Sequence, residues 1–210
     1  MNWNVWDSPP LAGDAPTVAE VTARSLFDAG KCAAYWRGVS WLPAAPGDTV
    51  LDVGCGDGSH HAWMTGERGL VYTGCDVSAT MIGLARAAHP EARFDVADAT
   101  CLPYADGEFD VAFSRAMLLH LPRDVAEAAV REMVRVSQVA VVQVSALTGE
   151  PRIEQVGWCG YLVRYETEVA ARRAMHKIDP TVRCVVKSAQ TMMQGTREGI
   201  DAYFIFGEGA

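Results

Sequence analysis

Apolar and polar positions along this 210-residue chain follow two alternating periods. Between residues 16 and 41, Val18, Val21, Leu26, Phe27, Tyr35 and Trp36 keep roughly helical spacing with a break near Gly30, which predicts one or two helices. Pro43-Ala44-Ala45-Pro46-Gly47-Asp48 is turn chemistry, and it leads into the short β-branched run at 49–53, the first strand. Further strands are expected at 70–75, 92–96, 109–113, 139–144, 182–187 and 202–206. Helices are expected at 78–88, with Ser78 as N-cap, and at 122–136, with proline in the first turn. Apolar strands alternating with helices predict an α/β, doubly wound architecture, in which a mostly parallel sheet is covered on both faces. The last two strands have no helix of useful length between them and read as an antiparallel hairpin at the sheet edge.

Composition narrows the class. Half of the residues are hydrophobic and 21% are charged, enough for a single core that folds without disulfides or a structural metal. No apolar run approaches the 18 residues of a membrane span, and Met1-Asn2-Trp3-Asn4-Val5-Trp6-Asp7 lacks the pattern of a secretory signal, so a cytoplasmic location is expected. A formal charge of −8 argues against nucleic acid as partner or substrate. Cys32, Cys55, Cys75, Cys101, Cys159 and Cys184 are scattered, with no C-x-x-C pair and no histidine at zinc-finger spacing. They read as reduced core residues, and no metal is expected.

The informative stretch is Asp52-Val53-Gly54-Cys55-Gly56-Asp57-Gly58, where a strand runs into three glycines and then a helical segment. Glycines at such a junction let the backbone turn sharply and let a ligand approach without meeting a Cβ, while the following helix offers free N–H groups. Asp76 ends the second strand at about the 20-residue offset where an acid accepts both ribose hydroxyls of a nucleoside. Its plainer role is that of a helix N-terminal acid. Asp98 ends the third strand, where it can accept from an exocyclic adenine amine.

With Leu102-Pro103-Tyr104-Ala105-Asp106-Gly107-Glu108-Phe109-Asp110, these segments closely resemble the class I S-adenosylmethionine-dependent methyltransferases, in particular the small-molecule (type 11) subgroup that includes the ubiquinone and menaquinone biosynthesis enzymes. The resemblance covers about residues 45–145. It implies a single methyltransferase domain on a Rossmann-like sheet of seven strands, mostly parallel with an antiparallel C-terminal strand. Residues 1–14 would form a loose arm, 15–42 the N-terminal helices, 45–145 the cofactor-binding core, and 146–210 the acceptor-side segment and C-terminal hairpin.

The resemblance also implies roles. S-adenosyl-L-methionine would lie with its amino acid end against Asp52, Gly54, Cys55, Gly56 and Gly58 and its ribose on Asp76. Its adenine would lie between Val77 and Met81, with Asp98 and the Ala99 N–H at its edge. Ser114 would stand near the methyl group, and Tyr35 is a candidate contact from the N-terminal helix or a core residue. His120 is the candidate base; its alternative is a histidine that caps the next helix or bonds beneath the cofactor. Arg115 and Met117 fall on the acceptor side, Arg115 as a clamp or a surface pair. Trp158 and Tyr161, with Arg164 and Tyr165, would form an aromatic cap over a small-molecule acceptor, or an amphipathic helix packed on the sheet. Arg172, Arg173 and Lys177 fit the basic end of such a helix. The chain has Ser114-Arg115-Ala116-Met117 where amino methyltransferases carry N/D-P-P-Y/F, which argues against amide acceptors. No nucleic acid or membrane partner is implied, and a homodimer is compatible. Two alternatives are a nicotinamide-dependent oxidoreductase, whose third glycine would come one residue later, and a non-catalytic module that binds the cofactor.

Overall fold

The computed structural model describes residues 42–147, 152–155, 162–189 and 199–207. The arm and helices expected before residue 42, with Cys32, Tyr35 and Trp36, lie outside these residues, as do Trp158, Cys159 and Tyr161. Nine strands are described: β1 (Thr49–Val53), β2 (Val71–Asp76), β3 (Arg93–Val96), β4 (Phe109–Ser114), β5 (Ser137–Leu147), β6 (Arg152–Gln155), β7 (Leu162–Thr167), β8 (Arg183–Ala189) and β9 (Gly199–Phe206). Three α-helices accompany them: α1 (Ala79–Ala88), α2 (Arg123–Val136) and α3 (Glu168–Ile178).

The chain builds outward from β1 through β2 to β3, then crosses back to lay β4 and β5 on the other side of β1, all in parallel. β9 runs antiparallel along β5 from Ala140 to Leu147, and β8 pairs antiparallel with β9. These seven strands are the expected mostly parallel sheet with its antiparallel C-terminal hairpin. The strand order reverses between β1 and β4, and in open α/β sheets the crevice at the carboxyl ends of such a pair is where ligands bind.

An additional hairpin hangs from the far end of β5. β7 pairs in parallel with Ala146 and Leu147, beyond the point where β4 stops at Val142, and β6 pairs antiparallel with β7. The pattern-based reading did not foresee it. Residues 152–155, Arg-Ile-Glu-Gln, are too polar to announce a strand, so this pairing reflects tertiary context rather than propensity. Arg164 and Tyr165 therefore stand on a strand, and the basic helix begins only at Glu168, capped by the Thr167 hydroxyl accepting from Ala170 N–H.

Both sheet faces are covered. Leu51 and Val53 of β1 pack with Ala126, Ala129, Val130 and Met133 of α2 and with Ala171 and Met175 of α3. Val50 faces the opposite side, with Trp63, Met64, Tyr72, Ile82, Ala85 and Phe94. The buried positions of α2 recur at helical spacing, so burial of one stripe holds it on the sheet. Ser78 caps α1 as expected, its hydroxyl accepting from Met81 N–H at 3.1 Å. Pro122 is the N-cap of α2 rather than a first-turn residue, because its ψ of 155° is not yet helical. Cys55 and Cys75 are buried and Cys184 is half-buried, but Cys101 is exposed and is not a core residue.

Candidate functional site

The glycine loop leaves β1 at the switch in strand order with Gly54, Gly56 and Gly58 at φ +75°, +57° and +77°, a region that L side chains rarely adopt. Space forbids side chains there as well. A Cβ on Gly54 would lie 2.7 Å from Met117 Cγ, and one on Gly58 would lie 2.9 Å from the Phe94 ring. The segment after the loop is not the regular helix expected: His61 and Ala62 begin a helical turn that widens into a π-helix at Trp63–Glu67.

The end of β2 is the hub of the site. Cys75 C=O accepts from Gly54 N–H at 2.8 Å and from Cys55 N–H at 3.0 Å. Asp76 Oδ2 accepts from Gly56 N–H at 3.0 Å, and its Oδ1 from Ser78 N–H at 2.9 Å. The Asp76 carbonyl accepts from Ala97 N–H at 3.0 Å, which ties the exit of β3 to the same point. One residue thus joins the glycine loop, the cap of α1 and the strand that leads to Asp98. Among the described residues the amides of Gly54, Cys55, Gly56 and Gly58 donate to protein oxygens. The half-buried Asp76 carboxylate, by contrast, keeps acceptor capacity, since each oxygen has two lone pairs.

Asp98 is exposed, and its Oδ1 accepts from the Thr100 amide and hydroxyl at 2.8 and 2.7 Å. Val77 is exposed, Met81 is buried against Gly56, and Ala99 is half-buried. These residues line the rim beyond Asp76 in the order that chain connectivity dictates.

Asp52 stands beneath the loop rather than in it. It is fully buried, and its Oδ2 accepts from Tyr72 OH at 2.7 Å and pairs with His60 Nδ1 at 2.9 Å, while its Oδ1 has no hydrogen-bond partner among the described residues. Burial, followed by the Asp52 charge, holds the Tyr72 hydroxyl well above its usual pKa, so it remains a donor. Burial and the same charge raise the Cys55 thiol far above its ordinary value. It is not a nucleophile. Sequence reading missed His60 and Tyr72, because neither lies at a spacing that signals contact with Asp52.

Across the switch, β4 delivers Ser114 and Arg115, both buried; a surface pair for Arg115 is thereby excluded. Ser114 Oγ is buried without a hydrogen-bond partner among the described residues. Ala116 then takes a left-handed φ of 56°, costly for a residue with a Cβ, and its N–H donates to the buried Gln143 Oε1 at 2.8 Å. That turn lays Met117 across Gly54, and Leu118–His120 follows as a single 3₁₀ turn. Nearby, Leu118, Leu119, Arg123, Val144 and Met175 line a cavity of about 30 Å³, which holds no more than about two waters.

Among the described residues, Asp52 Oδ1 and Ser114 Oγ are buried acceptors without a hydrogen-bond partner, on the two strands that flank the switch point. This set fits a nucleoside ligand that carries a cationic amino acid end.

A methyltransferase-domain family profile matches residues 51–139, from β1 to the start of β5. The chain is 38% identical over 113 residues to 2-methyl-6-phytyl-1,4-hydroquinone methyltransferase of Synechocystis sp., a match spanning 52% of this chain and 35% of that protein. It is also 38% identical over 102 residues to Methyltransferase GfsG of Streptomyces halstedii, spanning 45% and 36%. The chain therefore covers only about a third of the length of these relatives. The solved structure of Burkholderia thailandensis 1,6-didemethyltoxoflavin-N1-methyltransferase shares the fold, with a TM-score of 0.61, 18% identity and 93% of each chain covered.

Proposed function

As residues 51–139 match a methyltransferase-domain family profile, we propose that this chain is a class I S-adenosylmethionine-dependent methyltransferase that transfers a methyl group from S-adenosyl-L-methionine to a small-molecule acceptor by in-line displacement. The observation that carries the reading is the hub at Asp76, where one carboxylate sits against a loop of three left-handed glycines at the switch point of the sheet. Bound there, the cofactor would supply an electrophilic sulfonium methyl.

The chain's own residues then bind, orient and exclude water, since displacement from a sulfonium needs alignment above all. Asp76 would accept from the ribose hydroxyls. The amino acid end would lie along the turn at Gly54, Cys55, Gly56 and Gly58, with Ser114 at the end of the neighbouring strand. Val77 and Met81 would flank the adenine, with Asp98 and Ala99 at its edge. Asp52 is better cast as the buried support of the loop than as a direct contact, because His60 and Tyr72 already hold its Oδ2. Arg115, Met117 and His120 leave β4 on the side of the transferable methyl, His120 as the candidate base for a hydroxyl acceptor.

The relatives' names favour acceptors that are small molecules, a hydroquinone among them. Trp158 and Tyr161 remain the proposed aromatic side of the acceptor site. A cytoplasmic location accompanies this reading, supported by Cys55, Cys75, Cys101 and Cys184, none of which is in a disulfide. Among the described residues no helix is long and apolar enough to cross a membrane.

Calorimetric titration with S-adenosylmethionine, S-adenosylhomocysteine and NAD, followed by turnover assays over hydroquinones, phenols and amines with RNA and histones as counter-substrates, tests the proposal. Binding of both sulfur nucleosides, no binding of NAD, and methylation confined to small molecules are the expected results. Tight NAD binding without either sulfur nucleoside, or preferential methylation of RNA or protein, would overturn it.

A further inference from the structure

On the face of the sheet that packs α1, three ligand-type side chains converge from segments far apart in sequence. His61 follows the glycine loop, His89 is the C-cap of α1, and Glu91 lies in the turn before β3. One nitrogen of each histidine and one oxygen of Glu91 all lie within 4.8 Å of one another. His61 Nε2 is 3.6 Å and His89 Nδ1 is 4.0 Å from Glu91 Oε1. Both separations are too long for a hydrogen bond. They are close to the spacing of about 3.3 Å that tetrahedral zinc sets between ligands at bonds of roughly 2.0–2.1 Å. We propose that His61, His89 and Glu91 bind one divalent zinc ion, leaving a fourth position open to water.

The surroundings favour metal over a bare ion pair. His61 is buried and held by its neighbours: the Tyr72 ring meets it edge-on at 5.2 Å, and the His89 ring lies 4.4 Å away at a 40° tilt. Glu91 is exposed and can swing inward at little cost, and it supplies the negative charge that a dication needs. Two imidazole nitrogens and one carboxylate suit zinc and disfavour magnesium or calcium, which prefer oxygen. The spacing gave no sign of the site, since its ligands meet only once α1 has packed on the sheet. In this position zinc would staple the exit of the glycine loop to the turn that leads into β3. The site is separate from the proposed methyl-transfer chemistry and does not depend on it.

The test uses the full chain stripped of metal with EDTA and titrated with Zn²⁺ against a chromophoric chelator, with Co²⁺ as a spectroscopic probe. One equivalent of zinc should bind, Mg²⁺ should not compete, and Co²⁺ should develop the intense visible bands of four-coordinate geometry. His61 is buried and its loss risks the fold, so the variants are His89→Ala and Glu91→Gln, both with circular dichroism as a check. Each should weaken zinc by at least the roughly 10- to 100-fold that loss of an outer-shell partner costs at metal sites. The exposed His176→Ala, on α3, should bind as the unaltered chain does. Absence of saturable zinc binding, binding unchanged in both ligand variants, or loss in His176→Ala would each overturn the proposal.

Discussion

Substituting Gly54 with alanine imposes two penalties of different origin. The backbone at φ +75° places an L residue in the left-handed region, which costs roughly 1–2 kcal/mol. The new Cβ would also lie 2.7 Å from Met117 Cγ, 2.8 Å from its Cβ and 2.8 Å from its Sδ. Rotation about χ1 can move Cγ and Sδ away but leaves Cβ where the backbone holds it, so the clash persists, and overpacking of this kind costs typically about 1–3 kcal/mol. Gly54→Ala should therefore lower stability by about 2–5 kcal/mol in urea unfolding with an unchanged m-value. A double-mutant cycle separates the parts. Met117→Gly removes every clashing atom but leaves φ as it is, so in that background Gly54→Ala should cost only the backbone share of roughly 1–2 kcal/mol. The coupling between the two substitutions should be about 1–3 kcal/mol, well above the 0.3–0.5 kcal/mol within which distant sites add. Additive costs would refute the placement of Met117 over the loop, and a near-neutral Gly54→Ala would refute the left-handed turn itself.

Asp76→Asn should weaken S-adenosylhomocysteine binding in calorimetry by about 1.5–3 kcal/mol, the range for hydrogen bonds to a charged group, and an unchanged affinity would remove Asp76 from the ribose role. Tyr72→Phe takes one donor from the buried Asp52 carboxylate at similar cost, so the melting temperature should fall by about 3–12 °C at 2–4 °C per kcal/mol; no change would show that Asp52 does not depend on it. Glu132 is held below its ordinary pKa of 4.5, first by its hydrogen bond from Arg135 and then by the Leu102 N–H. A depressed acid contributes stability above its unfolded pKa and loses it as pH falls through the folded value, so Glu132→Gln should flatten the loss of stability below about pH 4.5, and an identical acid limb would contradict this. His120→Ala should cut turnover by about 100-fold or more with cofactor affinity intact if His120 is the base; loss of melting temperature with turnover preserved would assign it to packing.

The elements that were legible in advance share one property: their signal is local. β1, β2, β4 and β9 are dense in β-branched and aromatic residues, and the helices carry one apolar stripe each. The glycine loop was legible because left-handed backbone selects glycine so strongly. Ala116 adopts the same conformation without a glycine and stayed invisible, since its turn is fixed by Gln143 from β5. The support of Asp52 by His60 and Tyr72, and the seat of Met117 on Gly54, are likewise products of packing. The β6–β7 hairpin escaped notice because Arg152 to Gln155 alternates too weakly to prefer a strand outside its pairing.

β5 is longer than its partners, and its overhang has an architectural consequence. The strands that carry the glycine loop, Asp76 and Asp98 all lie to one side of it, whereas β6, β7, α3, β8 and β9 are assembled from its other edge or its projecting tip. The two halves of the sheet share this one strand, much as two wings share a party wall, while α2 and α3 pack against each other across it. The backbone pairings of β1 to β4 are built out from one edge of β5 and those of β9 from the other, so each set is anchored to that strand separately. The likeness to the methyltransferase family, which stops at residue 139, ends at that wall.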